Sequence, residues 1–210
     1  MVRSLMNVLS KSLYLSGLLI VNAVYAISST PVDLMSMPGS TVKLDGDSTV
    51  RKYTANAASV TIVGKGALNA VSKSASAAKL PWTPLEIEMT LPITSLTSGE
   101  RTLDKHMREN LKSEKNPNIQ LKLNHFYFSG ADSATVHPLK ATGVMTVAGV
   151  SKPLELEAMT AVEGQKVNFK GKKKILMSDF GIAPPVLMMG SLKTKDEIEI
   201  TYDVTLSPKP

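Results

Sequence analysis

The chain has 210 residues, of which 43% are hydrophobic and 20% are charged, and it contains no cysteine. This length suits one well-buried domain rather than two. The absence of cysteine excludes disulfides and a lipid-modified N-terminal cysteine. The net charge of +6 is modest, and no aromatic-studded basic face concentrates it, which argues against nucleic acid as a partner.

The N-terminal segment has the features of an export signal. Arg3 and Lys11 make its start basic, and the apolar run over residues 13–24 is shorter than the ~20 residues that span a bilayer. Residues 24–26 form an acceptable cleavage site. We therefore predict a signal peptide over residues 1–26, the alternative being an uncleaved anchor. Cleavage would leave 184 residues with a charge of +4 and no stable membrane span. Export without disulfides favours a Gram-negative periplasm.

The next part of the chain predicts short strands. Residues 27–39 are rich in Ser, Met and Pro and are typical of a linker, so we expect the ordered domain over residues 40–208. Thr41–Tyr53 alternates around Asp45-Gly46, which indicates a hairpin with its turn at that pair. Gly64 and Gly66 indicate a bulge or a sharp bend. Further strands are predicted over residues 59–63, 67–71, 85–91, 139–147, 153–162, 167–177 and 197–206, and from 119 onwards.

One segment has helical periodicity. Between Gly99 and Lys112, the apolar residues Leu103, Met107 and Leu111 are four apart, which predicts a short helix with one narrow apolar stripe. Such a helix must lie on an apolar surface that the strands supply.

Strands joined by short turns pair antiparallel, since parallel pairing needs long crossovers. A sheet of eight or nine strands must hide its apolar face, either by closing into a barrel or by splitting into a sandwich. We predict an all-β fold, an antiparallel barrel of about eight strands, with the short α-helix as a plug or lid at one end.

Four segments, in order, resemble the YceI-like family: residues 46–50 (GDSTV), 96–123, 142–154 (TGVMTVAGVSKPL) and 177–182 (MSDFGI). The resemblance implies a lipocalin-like barrel around an apolar channel for an isoprenoid-type amphiphile. The sequence departs from the family pattern at Asp47, where a histidine is expected, and at Met177-Ser178, where an aromatic residue or arginine is expected.

The candidate ligand contacts are large apolar side chains, several of them methionines that adapt to irregular surfaces. They are Trp82, Met89, Met107, Phe126, Phe128, Met145, Phe180, Met188 and Met189. Each of them could instead be ordinary core, and Met188 and Met189 could belong to an apolar loop. The basic run Lys172–Lys174 is typical of a solvated strand end; the alternative is a contact for an anionic head group or an acidic membrane surface.

Three functions remain open at this point. The first is a periplasmic carrier for an apolar, isoprenoid-like small molecule. The second is a filled barrel that acts through loops, such as residues 184–190, or through a strand edge. The third, an enzyme, is disfavoured, because His106, His125 and His137 are dispersed and spacing alone assembles no catalytic set. The alternative for two of them is a metal site formed by His125 and His137 on adjacent strands. A homodimer is compatible with the apolar loop.

Overall fold

The computed structural model describes residues 31–69, 80–129, 136–187 and 192–210. The predicted signal peptide and the candidates Met188 and Met189 lie outside these ranges.

Twelve strands make up most of the described chain. They are β1 (Pro31–Ser36), β2 (Thr41–Ser48), β3 (Tyr53–Ala57), β4 (Thr61–Leu68), β5 (Trp82–Pro92), β6 (Leu96–Thr97), β7 (Asn118–Phe128), β8 (Val136–Val147), β9 (Val150–Glu163), β10 (Lys166–Leu176), β11 (Val186–Leu187) and β12 (Leu192–Pro208). The helix α1 spans Arg101–Asn110, and single 3-10 turns occupy Ile93–Ser95 and Ser178–Phe180. None of the helices in the described ranges has the length and apolar character needed to cross a membrane.

Eight strands close into an antiparallel barrel, which confirms the predicted fold. Their order is β1-β4-β5-β7-β8-β9-β10-β12, and pairing of β12 with β1 completes the ring. The long strand β12 contacts β1 through residues 206–208 and β2 through residues 194–203. Its residues Ile198, Val204 and Leu206 are buried, as the period-two pattern predicts.

The predicted linker is wrong over residues 31–36, which form β1. This strand pairs with β4 and with the end of β12. Its Leu34 is 2% exposed and belongs to the core. The segment is rich in Ser, Met and Pro, but its one buried leucine and its backbone hydrogen bonds to strands on both sides hold it in the sheet.

The predicted turn at Asp45-Gly46 is also wrong, because both residues lie inside β2. The β2–β3 hairpin turns later, where the Ser48 amide donates to the Arg51 carbonyl at 3.1 Å. Gly46 serves a different purpose: a Cβ on it would lie 2.2 Å from Cζ of Tyr53. Glycine is required there so that the tyrosine ring can cross the neighbouring strand.

A bulge occurs beside the predicted Gly66, but its extra residue, Leu85, lies on β5 rather than on β4. Register shifts between Lys65 and Gly66, so that Lys65 faces Glu86 and Gly66 faces Pro84. Leu85 therefore has no partner on β4 and is 50% exposed, although its alternation with Ile87, Met89 and Leu91 predicts that it faces inward. An extra residue in one strand reverses the alternation on one side of the bulge.

The helix α1 is anchored at its start by the loop before it. Asp104, in the first turn, accepts hydrogen bonds from the Ser98 hydroxyl at 2.6 Å and the Ser98 amide at 2.7 Å. These two hydrogen bonds hold the pKa of the Asp104 carboxyl below its ordinary value. The Arg51 guanidinium forms an ion pair with Glu100, which ties the β2–β3 turn to the start of the helix.

Candidate functional site

An apolar cavity of about 120 Å³ lies inside the barrel. Inward-facing residues from most strands of the ring line it, among them Leu121 of β7, Leu156 of β9 and Ile200 of β12. These three are only partly buried, because their exposed side faces the cavity rather than bulk solvent. Water gains few hydrogen bonds beside such a carbon-rich wall, so the space suits an apolar chain.

A second cavity, of about 330 Å³, lies beneath the helix. Leu103, Met107 and Leu111, the predicted apolar stripe of α1, all line it. No residue of α1 is fully buried. The stripe therefore covers a cavity, with Leu111 also packed against the neighbouring core. Of the two predicted roles, plug or lid, this arrangement fits a lid.

The two cavities adjoin each other inside the barrel. Leu44, Ile119, Met145 and Ile200 line both of them. The inner cavity is lined almost entirely by carbon, whereas the cavity beneath the helix also meets polar side chains. We call the latter the mouth cavity.

Trp82 closes the barrel at the end opposite the helix. It is fully buried, and its indole Nε1 donates to the Gln165 carbonyl in the turn between β9 and β10 at 2.9 Å. Its ring lies 6.1 Å from that of Phe169, at a tilt of 43°. A buried indole with its N–H satisfied is a stable plug.

The structure separates the predicted contacts into two groups. Five line a cavity: Met89 and Phe126 the inner one, Met107 and Phe180 the mouth, and Met145 both. Trp82 and Phe128 line neither cavity and belong to the hydrophobic core. Whether these five contact a ligand stays a prediction.

Sequence reasoning missed most of the cavity wall. Leu121, Leu154, Leu156 and Ile200 line the inner cavity, but none of them was a candidate. Their signal is the period-two pattern itself, which marks inward residues without telling core from cavity. That distinction depends on which strands lie opposite each other across the barrel.

The barrel wall forks between β9 and β10. These strands pair from Lys166 and Glu163 as far as Gly171 and Ala158. Beyond Gly171, β10 pairs with β12 alone, and the facing part of β9 pairs with β8 alone. The fork therefore interrupts the backbone hydrogen bonds of the wall beside the inner cavity.

Tyr202 bridges this fork. Its hydroxyl donates to the Glu157 carbonyl of β9 at 2.6 Å, across Gly171 of β10. A Cβ on Gly171 would lie 2.4 Å from that carbonyl oxygen and 2.5 Å from the Tyr202 hydroxyl. Glycine is therefore needed for the tyrosine to cross. Burial raises the pKa of Tyr202 to about 12, so the hydroxyl remains a donor at neutral pH.

The histidines do not converge in the structure. His106 lines the mouth cavity from α1. His125 is exposed, and its Nδ1 lies 2.7 Å from Oδ1 of Asn124. Thr142 is the residue of β8 opposite His125, whereas His137 lies five residues earlier on that strand. Within the described ranges, no group of three or more His, Cys, Asp or Glu side chains is arranged to hold a metal ion.

Comparison with known families gives a match over most of the chain. The YceI-like domain matches residues 36–206. No curated protein matches the sequence.

Solved structures of low sequence identity share the fold. A polyisoprenoid binding domain from Saccharophagus degradans, implicated in plant cell wall breakdown, has a TM-score of 0.58 at 9% identity, covering 85% of this chain and 99% of that one. BcnA from Burkholderia cenocepacia has a TM-score of 0.57 at 14% identity, covering 79% and 95%. A Campylobacter jejuni YceI protein has a TM-score of 0.50 at 24% identity, covering 63% and 77%. At these identities the likeness shows the fold alone.

Proposed function

This chain belongs to the YceI-like domain family, and from that premise we propose that it is a periplasmic carrier for a long apolar amphiphile of the isoprenoid type. The single observation that carries the proposal is the inner cavity of about 120 Å³, which is lined by carbon and adjoins the mouth cavity beneath α1. The solved domain from Saccharophagus degradans, described as polyisoprenoid binding, has the same fold and supports this class of ligand.

Energetics favour a long ligand over a short one. Burying ten methylenes contributes about 8 kcal/mol. Association costs about 4–15 kcal/mol in lost freedom. A short chain would therefore bind weakly, and tight binding requires either a longer tail or a contact for the head group.

Two other functions have less support. A filled barrel that acts only through its loops would need a bore without space, and the inner cavity argues against that arrangement. Catalysis would need polar groups that converge on the bore. The inner cavity has Lys173 and Tyr202 as its polar side chains, and the Tyr202 hydroxyl already donates to Glu157. We therefore propose binding rather than catalysis.

Export to the periplasm is the second part of the proposal, and residues 1–26 carry it. The basic start, the short apolar run and the cleavage site support a cleaved signal. Fractionation of the native host, with N-terminal sequencing of the mature chain, tests this part separately. A chain that begins at Ile27 in the periplasmic fraction is the expected result. An intact N-terminus in the cytoplasm would contradict it.

Native mass spectrometry of protein purified from its own host tests the binding. We expect a mass above that of the bare chain, together with a long-chain lipid in the organic extract. Protein that carries no lipid, and that takes up none from a total lipid extract of the same host, would contradict the proposal. The second step matters because purification can strip a bound lipid.

A further inference from the structure

One lysine of the basic run faces the inside of the barrel. Lys172 and Lys174 lie on the outer face of β10, where their ammonium groups pair with Glu199 at 2.7 Å and with Glu197 at 2.9 Å. Lys173, between them, is half-buried and lines the inner cavity. Within the described part of the chain, it has no ion-pair partner. Alternation along the strand thus separates one cation from its two paired neighbours.

Lys173 lies at the fork between β9 and β10, and the side chains around it are apolar. Ile200 is its register partner on β12. The facing segment of β9 has separated from β10 and contributes Leu154 and Leu156 to the same cavity. Two acids of that segment, Glu155 and Glu157, are exposed and pair with Lys140 on the outer face. No described acid therefore compensates Lys173.

A charge beside an apolar cavity is unfavourable unless it is compensated. An anionic group that enters with a ligand supplies the missing partner, and charge-assisted hydrogen bonds are among the strongest. One ammonium neutralises a carboxylate. A phosphate monoester carries about −1.5 to −2 at neutral pH and would leave charge uncompensated.

We infer that Lys173 binds the carboxylate head of a long-chain amphiphile at the fork between β9 and β10, while the tail occupies the inner cavity. This inference rests on the proposed function, because it needs the cavity to bind an apolar chain. It deepens that function by naming the head group, and it places the head at the side of the barrel rather than beneath the helix.

Calorimetric titration of the delipidated protein with three probes tests the inference. Palmitate, 1-hexadecanol and hexadecyl phosphate share one tail length and differ in the head. We expect palmitate to bind about tenfold to a hundredfold more tightly than the alcohol, the range for a hydrogen bond to a charged group. Lys173→Met keeps an apolar stem of similar length and should abolish this preference. Lys172→Met, on the outer face one residue away, should retain it.

Each alternative result has a defined meaning. Equal affinity for palmitate and the alcohol, or a palmitate preference that survives in Lys173→Met, would overturn the head-group assignment and leave the carrier function standing. Tighter, Lys173-dependent binding of hexadecyl phosphate would overturn the carboxylate assignment. Binding of none of the probes would overturn the head-group inference, whereas the lipid-extract experiment above decides the carrier function separately. If Lys173→Met does not fold, Lys173→Gln removes the same charge and takes its place.

Discussion

Filling the inner cavity should abolish binding without unfolding the barrel. Ala158 of β9 lines that cavity, and Gly171 lies opposite it on β10. Ala158→Phe places a six-carbon ring where the ligand tail would lie. Displacing about six tail carbons, at ~0.8 kcal/mol for each methylene, removes about 5 kcal/mol of binding free energy. This corresponds to more than a thousandfold in Kd, and partial relaxation of the wall should still leave at least a tenfold loss.

The assay is calorimetric titration with 1-hexadecanol, a neutral probe that does not depend on Lys173. Met159→Phe is the matched control, because Met159 is the next residue of β9 and is 49% exposed on the outer face. We expect it to bind like the unaltered protein. Overpacking costs about 1–3 kcal/mol of stability, so the unfolding midpoint of each variant must be measured as well. A folded Ala158→Phe protein with unchanged affinity would refute the assignment of the cavity as the binding site.

Two further predictions concern stability. Gly171→Ala should destabilise the barrel by about 1–3 kcal/mol, because the added methyl group overpacks the fork. Tyr202→Phe loses only the hydrogen bond to Glu157 and should cost less, about 1 kcal/mol. Denaturant unfolding measures both variants, and an equal loss of stability would contradict the fork geometry. The pKa of Asp104 lies below its ordinary value of 3.8 because of the Ser98 hydrogen bonds, so its stabilising contribution is complete above that value and is lost as pH falls through the lower folded pKa. Asp104→Asn should therefore flatten the acid limb of the stability profile below about pH 4, and an unchanged limb would contradict this.

The barrel was predictable because its strands have a simple pattern. Ile198, Val204 and Leu206 alternate with polar residues along β12, and that alternation decides which face is buried. The stripe of α1 was predictable for the same reason. These features depend on local periodicity, which the chain shows directly.

The sequence predictions are wrong where a residue's role depends on a contact with another strand. Gly46 looks like a turn residue, but it makes room for the ring of Tyr53 on the next strand. Leu34 is the single buried hydrophobic residue of a segment with the composition of a linker. In each case, the deciding contact is made with another strand, and local composition does not report it.

The candidate site was only partly predictable, because a cavity is a property of several strands together. Residue size led to Trp82, which proved to be a plug, and not to Leu156 or Ile200, which line the cavity. The inward position of Lys173 follows from strand alternation, but its lack of an ion-pair partner among the described residues depends on the fork. Neither the fork nor the cavity follows from a list of strands.

Photo-crosslinking tests the central claim most directly. A palmitate analogue with a diazirine near the end of its tail reacts with whatever side chain lies beside it, and peptide mass spectrometry locates the adduct. The account predicts adducts on inner-cavity residues such as Leu121, Phe126 and Leu139, and their loss in Ala158→Phe. Adducts confined to exposed residues of the outer face, such as Val63 or Met159, would show that the apolar chain does not enter the barrel and would contradict the claim.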